Sequence, residues 1–125
     1  MMKPNNPIFK LLKQSDVLKQ HLQDKQIFRL FLAGLAPDEV KLPYVVWQQI
    51  SRNPLNTLGD RPKMDDYLIQ IDVYSHQHQQ AQDIAYEIER ILETECRVRG
   101  SRIEQDPITK NFRVLLEVEM LNPRI

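Results

Sequence analysis

The sequence predicts an α+β fold, a mostly antiparallel sheet with helices packed on one face in the order α-β-β-β-α-β-β. Two segments, YLIQIDVYS (67–75) and FRVLLEVEM (112–120), alternate apolar and polar residues with the period of a half-buried strand. Between them Ala81, Ile84, Ala85, Ile88, Ile91 and Leu92 recur at intervals of three and four, which is one stripe of a helix able to cover a sheet. The chain has 125 residues, 42% hydrophobic and 27% charged, which is enough for one core and too little for two; a single domain over 1–125 is expected.

Each element has its own local signal. Asn6 and Pro7 are placed to cap and start a helix carrying Ile8, Phe9, Leu11 and Leu12. Ser15 reads as a second N-cap, with Asp16 at the positive end of a helix dipole and Val17, Leu18 and Leu22 as its apolar side. One kinked helix or two short ones follow from this. IFRLFL (27–32) is a strand interrupted by Arg29, and 33–42, with Gly34 and Pro37, is a surface connection. After Pro43, YVVWQQI (44–50) is a second strand with Val45 and Trp47 on one face and Tyr44, Val46 and Ile50 on the other. Tyr67, Ile69, Ile71 and Val73 form the buried face of the third. Ser75 is expected to cap a helix running from about 78 to about 95, whose outer face is acidic and amide-rich. The segment 97–106 is weakly patterned, with Gly100 marking a bulge or bend. In the last strand Phe112, Val114, Leu116, Val118 and Met120 oppose Arg113, Glu117 and Glu119.

Composition narrows the function classes. Seventeen basic and seventeen acidic residues give no net charge, which removes the surplus of Lys and Arg that phosphate neutralisation needs. The charge is nevertheless unevenly spread, +5 over residues 1–63 and −5 over 64–125. Either folding scrambles this split, or opposite faces of the subunit differ in sign and copies can pack head to tail. No apolar run is long enough to cross a bilayer, and MMKPNNPIFKLLK has no cleavage-site pattern, so an unprocessed chain of cytosolic origin is expected. Cys96 alone can form neither an internal disulfide nor a structural zinc site, and is expected to pack as a small apolar residue near a helix end.

Catalytic constellations are not in view. His76 and His78 have ligand spacing but no third ligand beside them, and His21 reads as a solvated helix residue. The acidic pairs Asp38-Glu39 and Asp65-Asp66 fall in connections, and three glycines are too few for a phosphate-cradling loop. No Ser or Cys sits in a nucleophile elbow. The expectation is a protein that is not an enzyme and uses no cofactor or metal.

What stands out is RNPLNTLGDRP (52–62), a polar stretch between two strands that is too long for a tight turn. Arg52, Asn53, Asn56, Thr57, Asp60 and Arg61 offer donors and acceptors on a loop stiffened by prolines. LPYVVWQQIS, a polar loop ending DRP, YLIQIDVYS and then AxxIAxxIxxIL resemble, in that order, the tail-completion or tail-to-head joining family of siphophages. PIFKLL and IFRLF fall where that family has its first helix and strand, so the resemblance spans about 7–92.

The resemblance implies a virion protein of phage or prophage origin, made in the host cytoplasm, that closes the head-proximal end of the tail and joins it to the capsid connector. It implies a ring of six copies around the DNA channel, with the tail-tube and head connector proteins as partners and DNA passing without sequence-specific contact. On that reading the 52–62 loop docks onto a neighbour, and Asp72, Glu117 and Glu119 make the lumen acidic so that DNA slides. A tail-terminator or tail-tube protein of another small α+β family is the alternative. A bacterial ligand-binding or enzymatic module with a pocket between helices and sheet is the reading from a different class.

Overall fold

The computed structural model describes residues 8–55, 61 and 64–123, the last two of these by backbone alone. Asn6 and Pro7 lie outside the described residues. Two short helices open it, α1 (Ile8–Lys13) and α2 (Asp16–Leu22). Ser15 divides them as its sequence context predicts. Its hydroxyl accepts from Leu18 N at 3.2 Å, satisfying an amide that the first turn leaves open. Ile8 and Leu12 from α1, and Leu18 and Leu22 from α2, are the buried sides.

The expected strand 27–32 divides in two. β1 (Gln23–Asp24) and β2 (Ile27–Phe28) form a small hairpin turned at Lys25, and β3 (Leu30–Leu32) joins the main sheet. Arg29 is the reason. Its side chain is buried, and its amide donates to the Leu22 carbonyl at the end of α2, 3.0 Å away, instead of to a strand. β3 then runs parallel to β4 (Tyr44–Leu55), pairing Leu30 with Val45 and Leu32 with Trp47. Parallel neighbours need a long return path, and 33–43 supplies it. Gly34 starts that path at φ 88°, where a side chain would be strained.

The other pairings are antiparallel. β5 (Met64–Ser75) lies between β4 and β7 (Phe112–Pro123), and β6 (Arg97–Gln105) borders β7, so the sheet order is β3-β4-β5-β7-β6. The register sets Tyr67 opposite Met120, Ile69 opposite Val118, Ile71 opposite Leu116 and Val73 opposite Val114. Both rows of side chains are buried under α3 (His78–Leu92), which packs against β5 and β7 through Ala81, Ile84, Ala85, Ile88 and Leu92. Each large apolar side chain taken from water contributes about 1.5–3 kcal/mol. Helices α1 and α2 lie beside α3 and extend the same core to Phe28, Leu30 and Val45. All helices therefore sit on one face of the sheet, as the order of elements predicts. Cys96 packs against this core, and burial pushes its thiol up to about 11.

Expectations are also corrected at both ends of α3. Gln77, not Ser75, occupies the N-cap of α3. Fully buried, Ser75 accepts from Gln77 N at 3.1 Å and donates to Gln80 Oε1 at 2.6 Å, bracing the strand-to-helix corner. The helix also ends at Leu92, with a turn over 93–95. Strand β6 resolves the weakly patterned segment. It is exposed almost throughout because it is an edge strand, and its register shifts between Val98 and Gly100, which is the bulge that the glycine marks.

Candidate functional site: the β4–β5 hairpin and the helix-free face

The segment between the second and third expected strands is shorter as a loop than the sequence implies. Pairing of β4 with β5 continues through Arg52 opposite Tyr67, Asn53 opposite Asp66, Pro54 opposite Asp65 and Leu55 opposite Met64. Arg52 and Asn53 are thus strand residues. Asn53 and Pro54 have poor strand propensity, but β3 stops at Leu32, so here β4 is an edge strand, the place in a sheet where proline is tolerated. Strand β7 runs alongside, with Leu121 opposite Asp66 and Pro123 opposite Met64. Arg52 through Leu55 are all exposed, and Arg52 Nη1 lies 3.7 Å from Oδ2 of the buried Asp65. Arg61 is exposed. Asn56, Thr57 and Asp60 lie outside the described residues.

Opposite the helices, the sheet presents a second surface. Asp72, Glu117 and Glu119 share it, since Gln70 pairs with Glu117, Leu68 with Glu119 and Asp72 with Leu115. Their surroundings differ. Asp72 is buried, accepting from Arg113 Nη2 at 3.0 Å and from Gln70 Nε2 at 3.0 Å. Arg113 also lies over the Tyr74 ring, 5.7 Å from its centre, and 3.9 Å from Glu104. Tyr74 stacks on Tyr44 with ring centres 4.8 Å apart, and burial raises both phenols above their ordinary range. The guanidinium therefore has one hydrogen-bonded carboxylate, a looser ion pair and an aromatic face around it, while its buried Nε has no hydrogen-bond partner among the described residues. Glu117 is exposed, and half-buried Glu119 lies 3.9 Å from Arg97.

Asp66 adjoins Glu119 on this surface. Burial raises its carboxyl above the ordinary range, and a hydrogen bond with Glu119 adds to the effect. A folded carboxyl that holds its proton more tightly than the unfolded one favours the fold below its ordinary value of 3.8 and loses that advantage as pH rises through the raised value. Asp66→Asn is therefore expected to raise the melting temperature modestly at pH 7. The gain should vanish in melts below pH 3.8, where the aspartate is already neutral. Equal gains at both pH values would refute the assignment.

Sequence reasoning places Arg113 on this face but not its partners, because alternation gives a side of the sheet and only the register gives neighbours. It misses a second cluster altogether. Glu87, buried on α3, takes bonds of 2.9 and 2.7 Å from Arg90 and one of 3.1 Å from the Ser15 hydroxyl, tying the α2 N-cap to α3. The Arg90 guanidinium holds the Glu87 carboxyl below the usual range against its burial. The acid in position 87 looks like one more residue of a wet helix face, and nothing in the sequence pairs it with Ser15.

The three histidines have neighbours of their own. His76 Nδ1 is 2.8 Å from Asn111 Oδ1, and the His78 ring meets Phe112 edge-on. His21 is half-buried, 3.5 Å from Gln80 Nε2. Among the described residues no group of three His, Cys, Asp or Glu could hold a metal, and no helix is long and apolar enough to cross a membrane.

The helices thus cover one side of the sheet, and a polar patch and the β4–β5 hairpin occupy the rest. Among solved structures it superposes on a chain in the virion of a native gene transfer agent particle, with a TM-score of 0.71. The two are 11% identical over 94% of this chain and 92% of the other, a likeness of fold. No curated protein matches the sequence. The family model described as tail completion protein gp17 matches residues 6–121, and the chain belongs to that family. It is a structural protein of the phage tail.

Proposed function

We propose that this protein closes the head-proximal end of the tail and joins it to the capsid connector, acting as a ring of copies around the DNA channel with the tail-tube and head connector proteins as neighbours. The observation that carries the reading is the β4–β5 hairpin. It exposes Arg52, Asn53, Pro54 and Leu55 on one arm, and Arg61, between the two strands in sequence, is exposed as well. Strand pairing fixes these residues at the base of an arm, and exposed polar residues on a fixed base suit contact with a neighbour. Removing residues 56–60 and closing the gap with glycines keeps every described strand pair. The variant is expected to fold normally by circular dichroism while complemented lysates contain full heads and finished tails that stay apart. Normal particles would overturn the docking role, and tails of abnormal length would identify a tail terminator instead.

The helix-free face is the side proposed to line the channel. Glu117 and Glu119 supply the acid there, while Asp72 serves to fix Arg113. Carboxylates facing a polyanion repel it, so DNA passes without sticking.

A further inference from the structure

We infer that the groove between α3 and β6 receives the α1–α2 flank of a second copy of this chain, an assignment that rests on the ring proposed above and names its contact. The helical layer has two unlike flanks. On one, α3 meets α1 and α2 and is tied to Ser15 through Glu87. On the other, nothing among the described residues covers the sheet, and an open groove of about 540 Å³ runs between helix and edge strand. Gln82, Tyr86 and Glu89 line it from α3, Ser101 and Ile103 from β6, and Leu116 forms part of its floor. Tyr86 is 70% exposed, a large aromatic surface left in water on a helix whose other apolar residues are buried or half-buried.

Charge says what fits there. The α3 rim of the groove carries Asp83 and Glu89, with Glu93 a turn beyond, against Arg102 on the strand side. The far flank exposes Lys10, Lys13 and Lys19 around Phe9 and Val17, with Asp16 as its acid. On these two flanks the lysines come from the basic first half of the sequence and the carboxylates of the groove rim from the acidic second half. Groove against groove would set acid against acid, so contact between copies joins unlike patches and repeats head to tail, the geometry from which rings close. Strand β6 itself is a poor alternative joint. Its bulge at Arg99, with Arg97 and Arg102, blunts the edge against pairing with another strand.

Reciprocal charge reversal tests this. One variant carries Glu89→Lys and Glu93→Lys, a second Lys10→Glu and Lys19→Glu, and a third all four. These side chains lie outside the core, so each variant should melt close to the wild type. Incorporation into particles, read by electron microscopy and by quantifying the protein in purified virions, is expected to fall about tenfold in the first two and to recover in the third. Recovery is the decisive result, because a chain with both flanks reversed restores the contact only if those flanks meet in neighbouring copies. Particles that show a wild-type ring while the first two variants assemble normally, or while the third fails to recover, would overturn this contact and leave the ring reading standing. Particles with no ring of this protein would overturn both.

Discussion

Replacing Ile71 with alanine is expected to lower the free energy of unfolding by about 2–5 kcal/mol. Ile71 sits at the centre of the sheet, fully buried, with Trp47 across one strand boundary and Leu116 across the other. Strands hold it on both sides and α3 packs against β5 from above, so the surroundings cannot collapse into the space left behind. The cost then combines lost transfer free energy with an unfilled cavity. A small domain has about 5–15 kcal/mol in total, so this one change removes a large share. Ile50 is the control. It lies on β4 where the register shifts between Gln49 and Ser51, and it is 48% exposed. Ile50→Ala should stay within about 0.5 kcal/mol of the wild type. Urea titrations of the isolated subunit decide it, and similar midpoints for the two variants would mean that Ile71 is not the centre of the core.

The contrast between Ile71 and Ile50 also shows what the sequence makes legible. Alternation in 67–75 and 112–120 names the buried face because the sheet has one dry side, and the stripe from Ala81 to Leu92 names the helix that dries it. Two-sided solvation hides β6, which buries nothing fully and so carries no period. Propensity misleads at Asn53 and Pro54, where pairing with β5 outweighs the preference of either residue for a turn. Candidate surfaces fare similarly. The sequence places Asp72, Glu117 and Glu119 on one face, but a neighbour's charge decides what each presents to solvent, and the Asp72–Arg113 bond depends on a register between residues 41 apart. The same limit applies to Glu87 and Ser15, 72 apart.

Arg29→Met is expected to cost about 2–4 kcal/mol, although the new side chain is apolar and of similar length. In an ordinary strand the exchange would help, since burying a guanidinium is unfavourable and burying a thioether is not. Here the guanidinium is the donor for two backbone carbonyls. Nε donates to the Pro43 oxygen at 2.8 Å and Nη2 to the His21 oxygen at 2.9 Å. One carbonyl belongs to the last turn of α2, where helix geometry leaves oxygens without internal partners, and the other to the residue just before β4. Arg29 thereby fixes the end of a helix to the start of a strand across the point where 27–32 breaks. Hydrogen bonds from a charged donor contribute about 1.5–3 kcal/mol each, and losing two outweighs the gain from removing a buried charge. Lysine separates charge from geometry. Its single ammonium reaches one carbonyl well and the other poorly, so Arg29→Lys should fall between wild type and Arg29→Met in urea titrations. If methionine proves as stable as arginine, the two carbonyls are satisfied by water and the break after Phe28 has another cause.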